Sequence, residues 1–150
     1  MKRTPLTLLA IALFFSLTSE KCDKDGGSAS TSTSTSTPMA SIIGTRWNLA
    51  TVAGEAIRLP EGKENPYLSI AEDNRLAGFG GCNKLMGSVK LDGNAISFPG
   101  LGSTKMYCQE TQAVETSFLT ALRATNSFTL DGDKLTLLDK SKALATLVKQ

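Results

Sequence analysis

The chain has 150 residues, a formal net charge of +2, three cysteines and no histidine. That length holds one domain of ordinary size. Without histidine, the commonest general base and the commonest metal ligand are both missing, and a near-neutral chain lacks the basic stripe that nucleic-acid binding requires.

The first element expected is an export signal over residues 1–21. Lys2 and Arg3 supply a positive start, and Leu6 to Leu17 form an uncharged, mostly apolar run. The run is shorter than the roughly 20 apolar residues of a membrane-spanning helix, which favours a cleaved signal over a permanent span. Removing residues 1–21 takes away Lys2, Arg3, Lys21 and Glu20 and leaves the remainder neutral. Cys22 would then stand where exported lipoproteins carry their acylated cysteine, and it is the expected site of lipid (palmitate-type) attachment. Ser19 and Lys21 depart from the aliphatic and small residues usual before such a cysteine. Cleavage after Ser19 to a soluble secreted form, or retention of the segment as an anchor, therefore stay open. The Asp23-Lys24-Asp25 run resembles the start of surface lipoproteins of the Bacteroidetes group. The expected location is outside the cytoplasm: outer membrane, cell surface or periplasm, with membrane contact through the N-terminal lipid.

Residues 22–43 read as a tether. Ser28 to Pro38 is "SASTSTSTSTP", with no apolar surface to offset the entropy of ordering. A free segment of this length has an r.m.s. reach of about 25 Å.

Residues 44–150 read as one domain of short strands. "TRWNLATV" opens it and Gly54-Glu55 turns it. "PYLSIAE" places Leu68 and Ile70 on one face, and Asp73-Asn74 turns again. "RLAGFGGC" is the next strand and "KLMGSVKL" its return, with Asp92-Gly93-Asn94 as the hairpin turn into "AISFPG". From Glu110 to Thr125 the period changes: Val114, Phe118, Leu119 and Leu122 recur at helical spacing. Glu110 and Glu115 stand near the start of that helix and Arg123 near its end, as the helix dipole favours. "SFTL", "KLTLL" and "ALATLV" then form a three-stranded meander. Trp47, the one tryptophan, is expected in the core. The expected class is α+β: a strongly bent antiparallel β-sheet or partly open barrel with one packed α-helix.

The stretch from Gly78 to Leu91, "GFGGCNKLMGSVKL", carries the candidate chemistry. Its glycines suggest a phosphate cradle, but no helix N-terminus follows to complete one. Cys82 as a nucleophile has no histidine to activate it. Cys82, Met86, Met106 and Cys108 are soft ligands of the kind that suits Cu(I), although methionine also fills irregular cores. A disulfide between Cys82 and Cys108 uses the even pair left once Cys22 is set aside. It would close a loop of about 27 residues and contribute about 3–4 kcal/mol on the chain-entropy model. The disulfide is the favoured reading. The glycines then shape backbone, and Asn83 hydrogen-bonds the turn.

Taken in order, "GGCNKLMGSVKLDGNAISF", "GSTKMYC" and "ETSFLTAL" resemble the META domain family, which includes the heat-inducible bacterial envelope protein HslJ. The residues that carry the likeness are Gly81, Cys82, Asn83, Gly87, Thr104, Met106, Cys108, Glu115, Phe118 and Leu119. "GTRWNL" resembles the family's first strand, so the likeness runs from Gly44 to Gln150. It implies a small antiparallel β domain with a helix, often on lipoproteins or secreted chains linked to stress response, drug tolerance and virulence. It carries over no catalytic residue, metal or cofactor. The expected function is a non-enzymatic envelope module, monomeric, binding an unknown protein or small ligand and not nucleic acid. One alternative is an inhibitor or chaperone-like binder presenting the loop from Asn83 to Met106, with Phe98-Pro99-Gly100 near its tip. Another is a small hydrolase using Glu72, Asp73 and Glu115.

Overall fold

The computed structural model describes residues 42–150. The expected signal, Cys22 and the Ser/Thr run lie outside the described residues.

Among the described residues, eleven strands and one helix follow one another in this order. They are β1 (Arg46–Val52), β2 (Glu55–Ala56), β3 (Tyr67–Ile70), β4 (Arg75–Phe79), β5 (Lys84–Ser88), β6 (Lys90–Asp92), β7 (Ala95–Ser97) and β8 (Gly102–Ser103). Helix α1 (Gln112–Ala124) comes next, and β9 (Ser127–Asp131), β10 (Lys134–Asp139) and β11 (Lys142–Lys149) complete the domain. One sheet holds all the strands in the order β6-β7-β9-β10-β11-β1-β3-β4-β5-β8, with β2 hairpinned onto β1. Every pairing between strands is antiparallel.

Strand alternation accounts for the core. Trp47 and Leu49 of β1, Leu68 and Ile70 of β3, Leu76 of β4 and Leu85 of β5 all point inward and are buried. A bulge between Leu49 and Thr51 resets the alternation on β1, which is why Val52 rather than Thr51 turns inward. Helix α1 lays Phe118, Leu119, Ala121 and Leu122 against β1, β10 and β11. The bent antiparallel sheet with one packed helix is thus what the alternation and the single helical stretch predicted.

Three details differ from the sequence reading. The "KLMGSVKL" segment is two strands, not one. Val89 is buried and donates its backbone N–H to the Asn74 carbonyl at 2.8 Å. β5 therefore pairs with β4 and β8 at one end of the sheet order, and β6 pairs with β7 at the other. Two strands separated by one residue thus sit at one end of the strand order (β6) and next to the other end (β5), so the sheet curls round upon itself as a half-barrel. Secondly, Ile42 is fully buried and its carbonyl accepts the Trp47 indole N–H at 3.1 Å, while Ile43 bridges to Ile70. The last two residues assigned to the tether belong to the fold. Thirdly, Phe98, expected near a presented loop tip, is buried in the core.

Candidate functional site

The glycine-rich stretch forms a four-residue corner after β4. The Gly80 N–H donates to the Asn83 carbonyl at 2.8 Å and closes the turn. Gly81 has φ +115°, backbone that side chains with a Cβ rarely adopt. Gly80 has no room for a Cβ, which would lie 2.7 Å from Cγ and Oε2 of Glu115. The corner aims two successive backbone N–H groups at one point. Those of Cys82 and Asn83 donate to Glu115 Oε2 at 3.1 and 2.6 Å.

Successive backbone N–H groups of this kind make an anion cradle. The corner is thus no phosphate cradle completed by a following helix, but its two N–H groups hold an anion that the protein itself supplies, the Glu115 carboxylate. Glu115, expected near the helix head where the dipole favours an acid, is 2% exposed, on the inward face of α1. Spacing gave a usable signal for this: Glu115, Phe118, Leu119 and Leu122 follow i, i+3, i+4, i+7, one helix face.

Asn83 is equally buried and extends the cluster. Its Nδ2 donates to Glu115 Oε1 at 2.6 Å and to the Met106 carbonyl at 3.0 Å. Its Oδ1 accepts the Met106 N–H at 2.7 Å and the Thr104 hydroxyl at 2.8 Å. The Met106 N–H can only donate, which fixes the orientation of the Asn83 amide. Asn83 therefore does more than hold its own turn. It holds the 104–106 segment against the sheet, supplying through its side chain the ladder bonds that β5 would otherwise make.

The disulfide joins Cys82 to Cys108 with their Cα atoms 5.8 Å apart. The Cys108 carbonyl accepts the N–H groups of Thr111 and Gln112 at the head of α1. Gly87 lies on β5 where a Cβ would be 3.2 Å from the Leu101 Cα, so the returning chain passes close there. Corner, edge segment and helix head thus meet at one junction, which contains Gly81, Cys82, Asn83, Thr104, Met106, Cys108 and Glu115.

The soft-ligand set does not converge in the same way. Cys82 and Cys108 are bonded to each other, which takes both sulfurs from that set, and Met86 stands opposite Gly102 while Asn83 holds the backbone of Met106. Among the described residues no three His, Cys, Asp or Glu side chains are grouped to hold a metal ion. Of the other carboxylates weighed, Asp73 accepts the N–H of Arg75 at 3.2 Å and its Nε at 2.6 Å, and Glu72 is exposed.

The family model described as "META domain" matches residues 40–150. The chain belongs to the META domain family. No curated protein matches it. An NMR structure of a protein is 22% identical, with a TM-score of 0.59 over 73% of this chain and 92% of that one. An NMR structure of a protein from Burkholderia xenovorans is 24% identical, with a TM-score of 0.59 over 74% and 85%. A crystal structure of a DUF4847 family protein from Bacteroides vulgatus ATCC 8482 is 14% identical, with a TM-score of 0.52 over 71% and 93%. At these identities the likeness to this META domain is one of fold. The family model begins at residue 40, in keeping with the burial of Ile42 ahead of the first strand.

Proposed function

We propose that this META domain is a non-enzymatic, exported envelope module, held at a membrane by lipid on Cys22 and binding a partner there, with a role in stress tolerance. The observation that carries the reading is how the motif is used. Asn83 and Glu115 are both 2% exposed, and their polar atoms are taken up in bonds between chain segments. Residues used this way support a scaffold, whereas a reacting centre needs groups free to meet a substrate. The apolar run at Leu6 to Leu17 and the position of Cys22 support export and anchoring.

Cell fractionation with intact-mass measurement of the native protein tests this directly. The expected product lacks residues 1–21, carries acyl chains and is found with membranes. A full-length, unmodified cytoplasmic protein would overturn the reading. The hydrolase alternative is tested by Glu72→Gln and Asp73→Asn: a measured turnover lost in a folded variant would replace the proposed function with catalysis.

A further inference from the structure

Beside the junction lies a groove on the outer face of β3, β4 and β5, with a cavity volume of about 640 Å³. Tyr67 and Phe79 floor it, their ring centroids 6.4 Å apart, and Met86 and Met106 flank it. Three of the four large hydrophobic side chains exposed among the described residues are here or next to it: Met86 at 53%, Met106 at 61% and Tyr107 at 79%. An exposed cluster of methionine and aromatic side chains is an adaptable surface for apolar partner groups.

The groove borders an open sheet edge. Thr104 donates its N–H to the Lys84 carbonyl, and Met106 is bound on both backbone groups by Asn83. By strand alternation the backbone groups of Lys105 and Tyr107 face the other way. Among the described residues they make no backbone hydrogen bond. The charge left unpaired at this place among the described residues has one sign. Glu64, at the groove, is paired with Arg46 at 2.9 Å, and Arg46 lies 3.5 Å from the Tyr67 ring centroid. Lys84 and Lys105 form no ion pair among the described residues.

We propose that this edge and groove receive an extended segment of another polypeptide, which adds as a strand beside Lys105 and Tyr107. Its apolar side chains reach over Met106 into the groove, and its alternate carboxylates, on the opposite face, meet Lys105. Main-chain bonds to the open edge supply affinity, while the groove on one face and Lys105 on the other select an alternating apolar and acidic sequence. The proposal rests on the partner-binding reading above and gives it a site and a ligand chemistry.

The test uses the mature full chain with 13C-methyl methionine and 15N labels. The probes are two ten-residue peptides alternating valine and leucine with aspartate in one and lysine in the other. The aspartate peptide is expected to shift the Met86 and Met106 methyl signals and the Lys105 and Tyr107 amides saturably, leaving β10 and β11 unmoved. The lysine peptide is expected to bind about tenfold more weakly or worse. Lys105→Pro removes the outward N–H without breaking a ladder bond and should weaken binding by about tenfold, whereas Lys105→Ala should cost only about two- to threefold. Equal binding of both peptides, no saturable shift at millimolar peptide, or an inert Lys105→Pro overturns the proposal. So do shifts that depend on protein concentration alone, which would give the edge to a second copy. A partner still retained by the Lys105→Pro variant overturns this site and leaves the partner-binding reading standing. A cytoplasmic, unprocessed chain strikes that reading instead.

Discussion

Glu115 is the residue on which the junction depends. Its carboxylate satisfies two backbone N–H groups that no other group reaches, and hydrogen bonds to a carboxylate are stronger than neutral ones. Glu115→Ala leaves those donors and one of the two N–H groups of Asn83 Nδ2 buried without acceptors and should lower the unfolding free energy by about 3 kcal/mol. Glu115→Gln keeps the shape but must turn an NH2 towards either the backbone donors or Asn83, so about 2 kcal/mol is expected. Urea unfolding measures both. Gly80→Ala tests the same contact from the other side. A Cβ 2.7 Å from Glu115 should cost about 2–3 kcal/mol in the native protein. In a Glu115→Ala background the same change should cost under about 1 kcal/mol, a non-additivity that a double-mutant cycle reads directly. Asp73, at the turn before β4, is exposed, and its carboxyl is held below the ordinary range chiefly by the Arg75 backbone N–H. A value depressed in the folded state adds stability above the unfolded value that is lost as pH falls through the folded one. Asp73→Asn should therefore flatten the acid end of the stability–pH curve.

At the scale of elements, the disulfide and the Asn83 cluster fasten the same segments in different ways. The disulfide acts on the unfolded chain by closing a 26-residue separation, worth about 3–4 kcal/mol on the chain-entropy model. The hydrogen bonds act on the folded chain. Reduction, or Cys82→Ala with Cys108→Ala, should lower stability by about that amount while near-UV circular dichroism of the folded protein stays native. The strands, the helix and the meander were readable because each is an alternation or a helical period carried by buried Leu, Ile, Phe and Val. What could not be read depends on contacts distant in sequence. The break at Val89 needs the Asn74 carbonyl, and the edge at 104–106 is paired through the Asn83 side chain, which has no period. Glu115 was readable from its spacing with Phe118 and Leu122. The local dipole rule, which concerns exposed acids at helix heads, pointed the other way.

For the whole molecule, the curl of the sheet decides where the domain starts. Ile42 is buried among the core side chains and accepts the Trp47 indole N–H, so the fold reaches back past the first strand. A chain beginning at Gly44 should lose about 3–4 kcal/mol relative to one beginning at residue 40, from the vacated apolar site and the unpartnered indole. The fluorescence of Trp47, the sole tryptophan, reports the unfolding of both. Gly81, Cys82, Asn83, Thr104, Met106, Cys108 and Glu115 thus lie where the sheet, its edge segment and the helix head join, and that junction accounts for them. Native-state amide hydrogen exchange at Cys82 and Asn83 tests this most directly. If the junction is part of the cooperative core, both amides exchange only through global unfolding, with the same protection as β10, and Glu115→Ala lowers the protection of all of them together. Fast exchange at Cys82 and Asn83 beside a protected β10, unchanged by Glu115→Ala, would contradict it.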